Sequence, residues 1–69
     1  MKHLRLAAGY STQEALAEAM NMDRSSVAKW ESGAAYPRFE TLNRLSRLLK
    51  CSVDELVVSL QKAKDDHTA

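Results

Sequence analysis

Ser25, Ala28, Lys29 and Ser32 follow one another at intervals of three, one and three residues, with Arg24 at the head of the run. On a helix, at about 100° per residue, they face one way while Val27 and Trp30 face the other. Such a helix buries valine and tryptophan and shows a small, polar, mildly basic outer surface. That surface suits the major groove of duplex DNA, where lysine or arginine donates to guanine O6 and N7. Serine discriminates bases poorly, so Ser25 and Ser26 are expected at phosphate or water more than at a base edge. No residues point to catalysis. His3 and His67 stand near opposite ends, no nucleophile neighbours a base, and no His/Cys cluster has zinc spacing. We therefore expect no enzymatic activity, no metal, no cofactor and no small-molecule ligand. Cys51, the single cysteine, has no disulfide partner within the chain and reads as a small core residue in a reducing compartment.

The elements that must hold this face are helical. The chain has 69 residues, 45% of them apolar, with two glycines, one proline and few β-branched residues. That suffices for one all-α domain, close to the lower size limit for folding without a metal or disulfide. No apolar run reaches the roughly 20 residues of a membrane span, and the amino-terminal apolar stretch is too short for a signal peptide. Net charge is only +1, but its distribution is uneven. Arg24, Lys29, Arg38, Arg44, Arg47 and Lys50 face only Glu31 and Glu40 in the middle of the chain, whereas Asp54, Glu55, Asp65 and Asp66 lie further on. A basic centre matters more for a polyanionic partner than the sum does.

Five helices are expected. The first covers about 1–8 and stops at Gly9. The second opens at either Ser11, which forms a capping box with Glu14, or Thr12. Leu16 and Met20 form its inner edge, and Ala15, Ala17 and Ala19 permit close approach. Asn21 suits a left-handed residue at a tight turn, with Met22 plugging the turn and Asp23 capping the third helix, about 24–32, which ends at Gly33. The fourth helix starts at Arg38 or Phe39 and runs to about Lys50. Phe39, Leu42, Leu45, Leu48 and Leu49 give it a wide apolar arc, and Arg44 and Arg47 read as solvated charges opposite. The fifth opens on the capping box Ser52-Val53-Asp54-Glu55, with Cys51 and Leu56 as a hydrophobic staple. Val53, Leu56, Val57 and Leu60 form its buried stripe, and Val58 falls on the far side. The expected division is a domain at 1–61 and a flexible, non-periodic tail at 62–69.

The pattern resembles the Cro/CI-like (Xre-type) helix-turn-helix family of phage and bacterial regulators. The residues that carry the resemblance are Leu4-Arg5, Gly9, Gln13, Leu16-Ala17, Met20, Ser25-Ser26-Val27, Trp30-Glu31-Ser32-Gly33, Pro37, Thr41-Leu42, Leu45 and Ser52-Val53-Asp54-Glu55-Leu56. They cover about residues 4–60. Asn21 stands where the family usually has a turn glycine, and the loop from Gly9 to Gln13 is one residue longer than the commonest pattern. The resemblance implies a compact five-helix, lambda-repressor-like DNA-binding domain whose second and third helices form the helix-turn-helix. It also implies sequence-specific binding to double-stranded DNA, usually as a homodimer on an inverted repeat, in the cytoplasm of a bacterial or phage-infected cell. A repressor is the expected role. An antitoxin, or an interaction module that kept the fold without DNA binding, are the rival readings.

By that resemblance Arg24, Ser25 and Lys29 match positions that read base edges. Gln13, Ser26, Ser32 and Arg38 match positions near the DNA backbone. Arg5 and Glu31 match a structural pair joining the first helix to the end of the third, expected half exposed and modest in energy. Val58 matches the region of the fifth helix where family dimers often meet.

Overall fold

The computed structural model describes the backbone of residues 1–68 and the side chains of residues 1–62. Five helices follow one another: α1 (Lys2–Ala7), α2 (Gln13–Met20), α3 (Arg24–Ser32), α4 (Phe39–Leu48) and α5 (Val53–Thr68). Helix α3 packs on α2 and α5, and α4 packs on α5 and α2. Leu16, Met20, Val27, Leu45, Leu56 and Leu60 are the largest fully buried side chains and lie where these helices meet. Burying each such side chain contributes roughly 1.5–3 kcal/mol. Leu4, Ala8, Tyr10 and Cys51 close the sides of this cluster. Burial, with the Glu55 charge as a lesser cause, pushes the Cys51 thiol up, which keeps it protonated and a poor nucleophile.

Each of the first four helices is followed, within two residues of its end, by a residue with positive φ: Gly9 (96°), Asn21 (57°), Gly33 (82°) and Lys50 (54°). In each case the amide one residue further on donates back to a carbonyl five residues earlier. The bonds are Tyr10 to Arg5 (3.1 Å), Met22 to Ala17 (2.9 Å), Ala34 to Lys29 (2.9 Å) and Cys51 to Ser46 (3.1 Å). This closure satisfies the last carbonyls and reverses the chain within two or three residues, which lets short helices pack at steep angles. Glycine and asparagine advertise such a position in sequence, but lysine does not. The left-handed backbone crowds the Lys50 Cβ, so Lys50→Gly raises stability by about 0.5–1 kcal/mol. An increase in the urea midpoint at unchanged slope is the expected reading, and a decrease would show that the lysine side chain itself holds the turn.

Several local expectations are resolved by packing. Thr12, not Ser11, caps α2: its Oγ1 accepts from the Ala15 amide at 3.0 Å. Asp23 does precede α3, yet its side chain makes no cap bond, and its carbonyl accepts from Ser26 instead. Ser52 Oγ accepts from the Glu55 amide at 3.1 Å, as the capping box requires. Met22 does not plug the turn; it is partly exposed. Phe39 does not join the core either. It is 72% exposed, and at about 100° per residue it stands about 60° from Leu42 and about 120° from Leu45, on the rim of the apolar arc. Arg44 is not merely a solvated charge: its Nη2 donates to the Met20 carbonyl at 3.0 Å. That places a cation on the carboxyl end of α2, where the helix dipole favours one. Helix α5 continues through Thr68, past the point where periodicity ends. The flexible tail expected at 62–69 falls at and beyond the limit of the described side chains.

Candidate nucleic-acid interface

The outer face of α3 is fixed by its inner one. Val27 is fully buried and Trp30 is 5% exposed, so rotation about the helix axis would expose indole surface. Arg24, Ser25, Lys29 and Ser32 are therefore held in solvent, and Ser26 and Ala28 are half-buried at the margins. The three-residue link Asn21-Met22-Asp23 sets the crossing of α2 and α3, since Asn21 adopts the left-handed conformation and the helices restart at once.

Four polar side chains from three elements converge beside this face. Arg5 Nε donates to Glu31 Oε2 at 2.8 Å, and Arg5 Nη1 donates to the Tyr10 carbonyl at 2.8 Å. Glu31 Oε1 accepts from Gln13 Nε2 at 2.9 Å. Gln13 Oε1 in turn accepts from Arg24 Nη1 at 3.4 Å. The Arg5 and Glu31 side chains are 5% and 8% exposed, so the pair is buried and not half exposed. The Tyr10 carbonyl and the Gln13 amide complete its hydrogen bonds, one from the loop after α1 and one from the start of α2. Among the described residues, no buried side-chain polar atom lacks a hydrogen-bond partner. A buried ion pair satisfied in this way fixes geometry more than it adds net stability.

The remaining expected contacts divide between two surfaces. Ser26, Lys29 and Arg38 line one cleft, together with Met22, Tyr36 and Thr41, so the outer edge of α3 and the start of α4 form a continuous surface. Arg38 precedes the first turn of α4 with extended backbone, and its side chain is exposed. Exposed Tyr36 and Phe39 flank it, the first an aromatic that periodicity did not single out and the second one that it assigned to the core. The Ser32 hydroxyl donates to the Lys29 carbonyl at 3.2 Å and accepts from the Ala34 amide at 3.4 Å, so it is already engaged in closing α3. Val58, 67% exposed, sits on a separate groove with His3, Leu4, Asp54 and Glu55. The two surfaces differ in charge: Lys29 and Arg38 line the cleft between α3 and the α4 start with no carboxylate among its described lining residues, whereas Asp54, Glu55 and Lys62 border Val58.

A short helix held by its inner face across a fixed turn, with cations on its outer face, is the geometry of a groove-reading unit. The profile of the family described as helix-turn-helix matches residues 1–56, most of the chain. The chain belongs to the Cro/CI-like (Xre-type) helix-turn-helix family. In this Cro/CI-like domain α2 and α3 are the helix-turn-helix, and the domain is of the DNA-binding, transcription-regulating kind. Among curated proteins it is similar to the HTH-type transcriptional activator BcrR of Enterococcus faecalis, at 44% identity over 46 residues. That match covers 67% of this chain and 22% of the relative, so the chain corresponds to only a minor part of that protein. No solved structure matches the chain at a significant level.

Proposed function

We propose that the domain binds double-stranded DNA sequence-specifically as a homodimer on an inverted repeat and so regulates transcription in a bacterial cytoplasm. The observation that carries this reading is the exposed row Arg24, Ser25 and Lys29, set against the buried Val27 and Trp30. Helix α3 enters the major groove, where Lys29 and Arg24 donate to base edges. The amino end of α2 at Gln13 and the Ser26 and Arg38 side chains approach flanking phosphates, with Ser32 alongside. Positive helix ends and backbone amides favour anions there. Two copies on one face of the duplex place their α3 helices one DNA turn (about 34 Å) apart, which dictates the inverted repeat. Val58, exposed on α5, is the proposed contact between copies.

Occupying a promoter in this manner excludes polymerase, so repression is the direct outcome of binding. The enterococcal relative bears the name of an activator. The sign of regulation follows the position of the site relative to the promoter, and a reporter carrying the selected site upstream or across the start distinguishes the two.

Selection of duplexes from a randomised pool, followed by fluorescence anisotropy at several salt concentrations, tests the binding itself. An inverted repeat should emerge. Affinity should fall with salt at a slope of about −0.9 per phosphate neutralised. Enrichment of no sequence, or affinity independent of salt, would leave a fold kept for protein contacts alone.

A further inference from the structure

Helix α4 carries part of the proposed DNA surface at its start, and it packs more widely on α5 than on α2. One polar bond reinforces the narrower contact. Arg44 Nη2 reaches across to the Met20 carbonyl at 3.0 Å, 24 residues away in sequence. Met20 ends α2 and is fully buried. The turn that follows closes on other carbonyls: the Asn21 amide donates to Glu18 at 3.0 Å and the Met22 amide to Ala17 at 2.9 Å. Among the described residues, no backbone amide of the turn donates to the Met20 carbonyl. Arg44 therefore supplies the donor that the last carbonyl of α2 needs. A charged donor at a helix carboxyl end is favoured by the dipole and bonds more strongly than a neutral one. Both ends of this bond lead into the cleft of the candidate interface. Met22, two residues past the acceptor, and Thr41, three residues before the donor, line it together with Lys29 and Arg38.

We propose that Arg44 is a positioning residue for DNA binding, which ties α4 to the carboxyl end of α2 and so fixes Arg38 relative to Lys29. A helix is stiff over the ten residues of α4, so a tether at Arg44 constrains the start of the same helix. The end of α2 continues through the three-residue link into α3, so the tether refers the α4 start to the base-reading helix. With that spacing set before DNA arrives, the phosphate contact at Arg38 forms without further ordering once α3 is seated. Without the bond, α4 shifts on α2 and the contact costs order, while α3 still enters the groove. Arg44 itself touches no DNA in this arrangement. The inference rests on the proposed DNA-binding reading and specifies how its two halves are held in register.

The test is a double-mutant cycle between Arg38→Ala and Arg44→Met, which keeps an apolar stem and removes the donors. Affinity is measured by anisotropy on a duplex selected with the wild-type protein, at a temperature where circular dichroism shows each variant folded. Arg44→Met should weaken binding about threefold to tenfold with Arg38 present and leave affinity unchanged in Arg38→Ala, the signature of coupled residues. The salt slope in the Arg38→Ala background should not change with Arg44. Should Arg44→Met unfold, the cycle runs on Arg44→Lys, whose single flexible donor loosens the tether, with the same coupling at smaller size. Equal loss in both backgrounds, with a slope smaller by about one, would place Arg44 directly on a phosphate and overturn the proposal. Unchanged affinity in both backgrounds would confine Arg44 to holding the fold and overturn it as well. Failure of the wild-type protein to select any duplex would instead remove the DNA-binding reading itself, and the role of Arg44 with it.

Discussion

Arg5→Met lowers the free energy of unfolding by about 3–5 kcal/mol, the cost of leaving one member of a buried ion pair without its partner. The substitution removes the donor to Glu31 Oε2 and the donor to the Tyr10 carbonyl together. Glu31 then keeps only the Gln13 amide while its side chain stays 8% exposed. A domain this small has a total stability of about 3–5 kcal/mol, so the variant is largely unfolded at room temperature. Far-ultraviolet circular dichroism in urea measures the loss. The double variant Arg5→Met/Glu31→Leu should recover most of the stability, because two apolar side chains of similar volume replace the pair without an orphaned charge. A loss below about 1 kcal/mol in the single variant would mean that water reaches the carboxylate and that the pair behaves as a surface one.

Lys29→Ala weakens binding to a selected duplex by about tenfold to hundredfold, the range of one base-edge contact of 1–3 kcal/mol. Lys29 is exposed and makes no side-chain hydrogen bond among the described residues, so the thermal midpoint should stay within a few degrees of the wild type. Selection repeated with the variant should return a site relaxed at one base pair in each half. The competing outcome is equally specific. If affinity for selected and scrambled duplexes falls by the same factor, with a salt slope smaller by about one, Lys29 holds a phosphate and specificity lies elsewhere on α3.

These two expectations concern residues that local patterning revealed to different degrees. Lys29 stands out from spacing alone, since a residue two after Val27 and one before Trp30 must lie away from both. The Arg5–Glu31 pair spans 26 residues, and only the family resemblance suggested it. Its burial was not legible at all. Exposure depends on what surrounds the pair in space, and its further hydrogen-bond partners, the Tyr10 carbonyl and the Gln13 amide, come from other elements. Arg44 was missed for the same reason: its acceptor is the Met20 carbonyl, 24 residues away, at the end of another helix.

Phe39 shows the limit of periodicity most clearly. Spacing gives the angle of a residue about its helix axis, and by angle Phe39 lies on the rim of the arc, about 60° from Leu42 and about 120° from Leu45. Spacing does not say how wide an arc the neighbouring helices cover, and Phe39 falls outside it. Lys50 is the complementary case along the backbone. Gly9, Asn21 and Gly33 mark left-handed stops by their own conformational preferences, whereas Lys50 is forced into one by the packing of α4 and α5 on either side.

By itself the sequence determined the number and kind of elements, the turns at Gly9, Asn21 and Gly33, and the side of α3 that faces out. Each of these follows from interactions within a few residues: capping, left-handed turns and apolar spacing. Tertiary structure alone decided which charges are buried, which aromatics are left in solvent, and that Arg5, Glu31, Gln13 and Arg24 form one connected chain beside the outer face of α3. Those depend on side chains from separate helices meeting at hydrogen-bond distance. Such a meeting is set by the crossing of α1, α2 and α3, which no local stretch of chain contains.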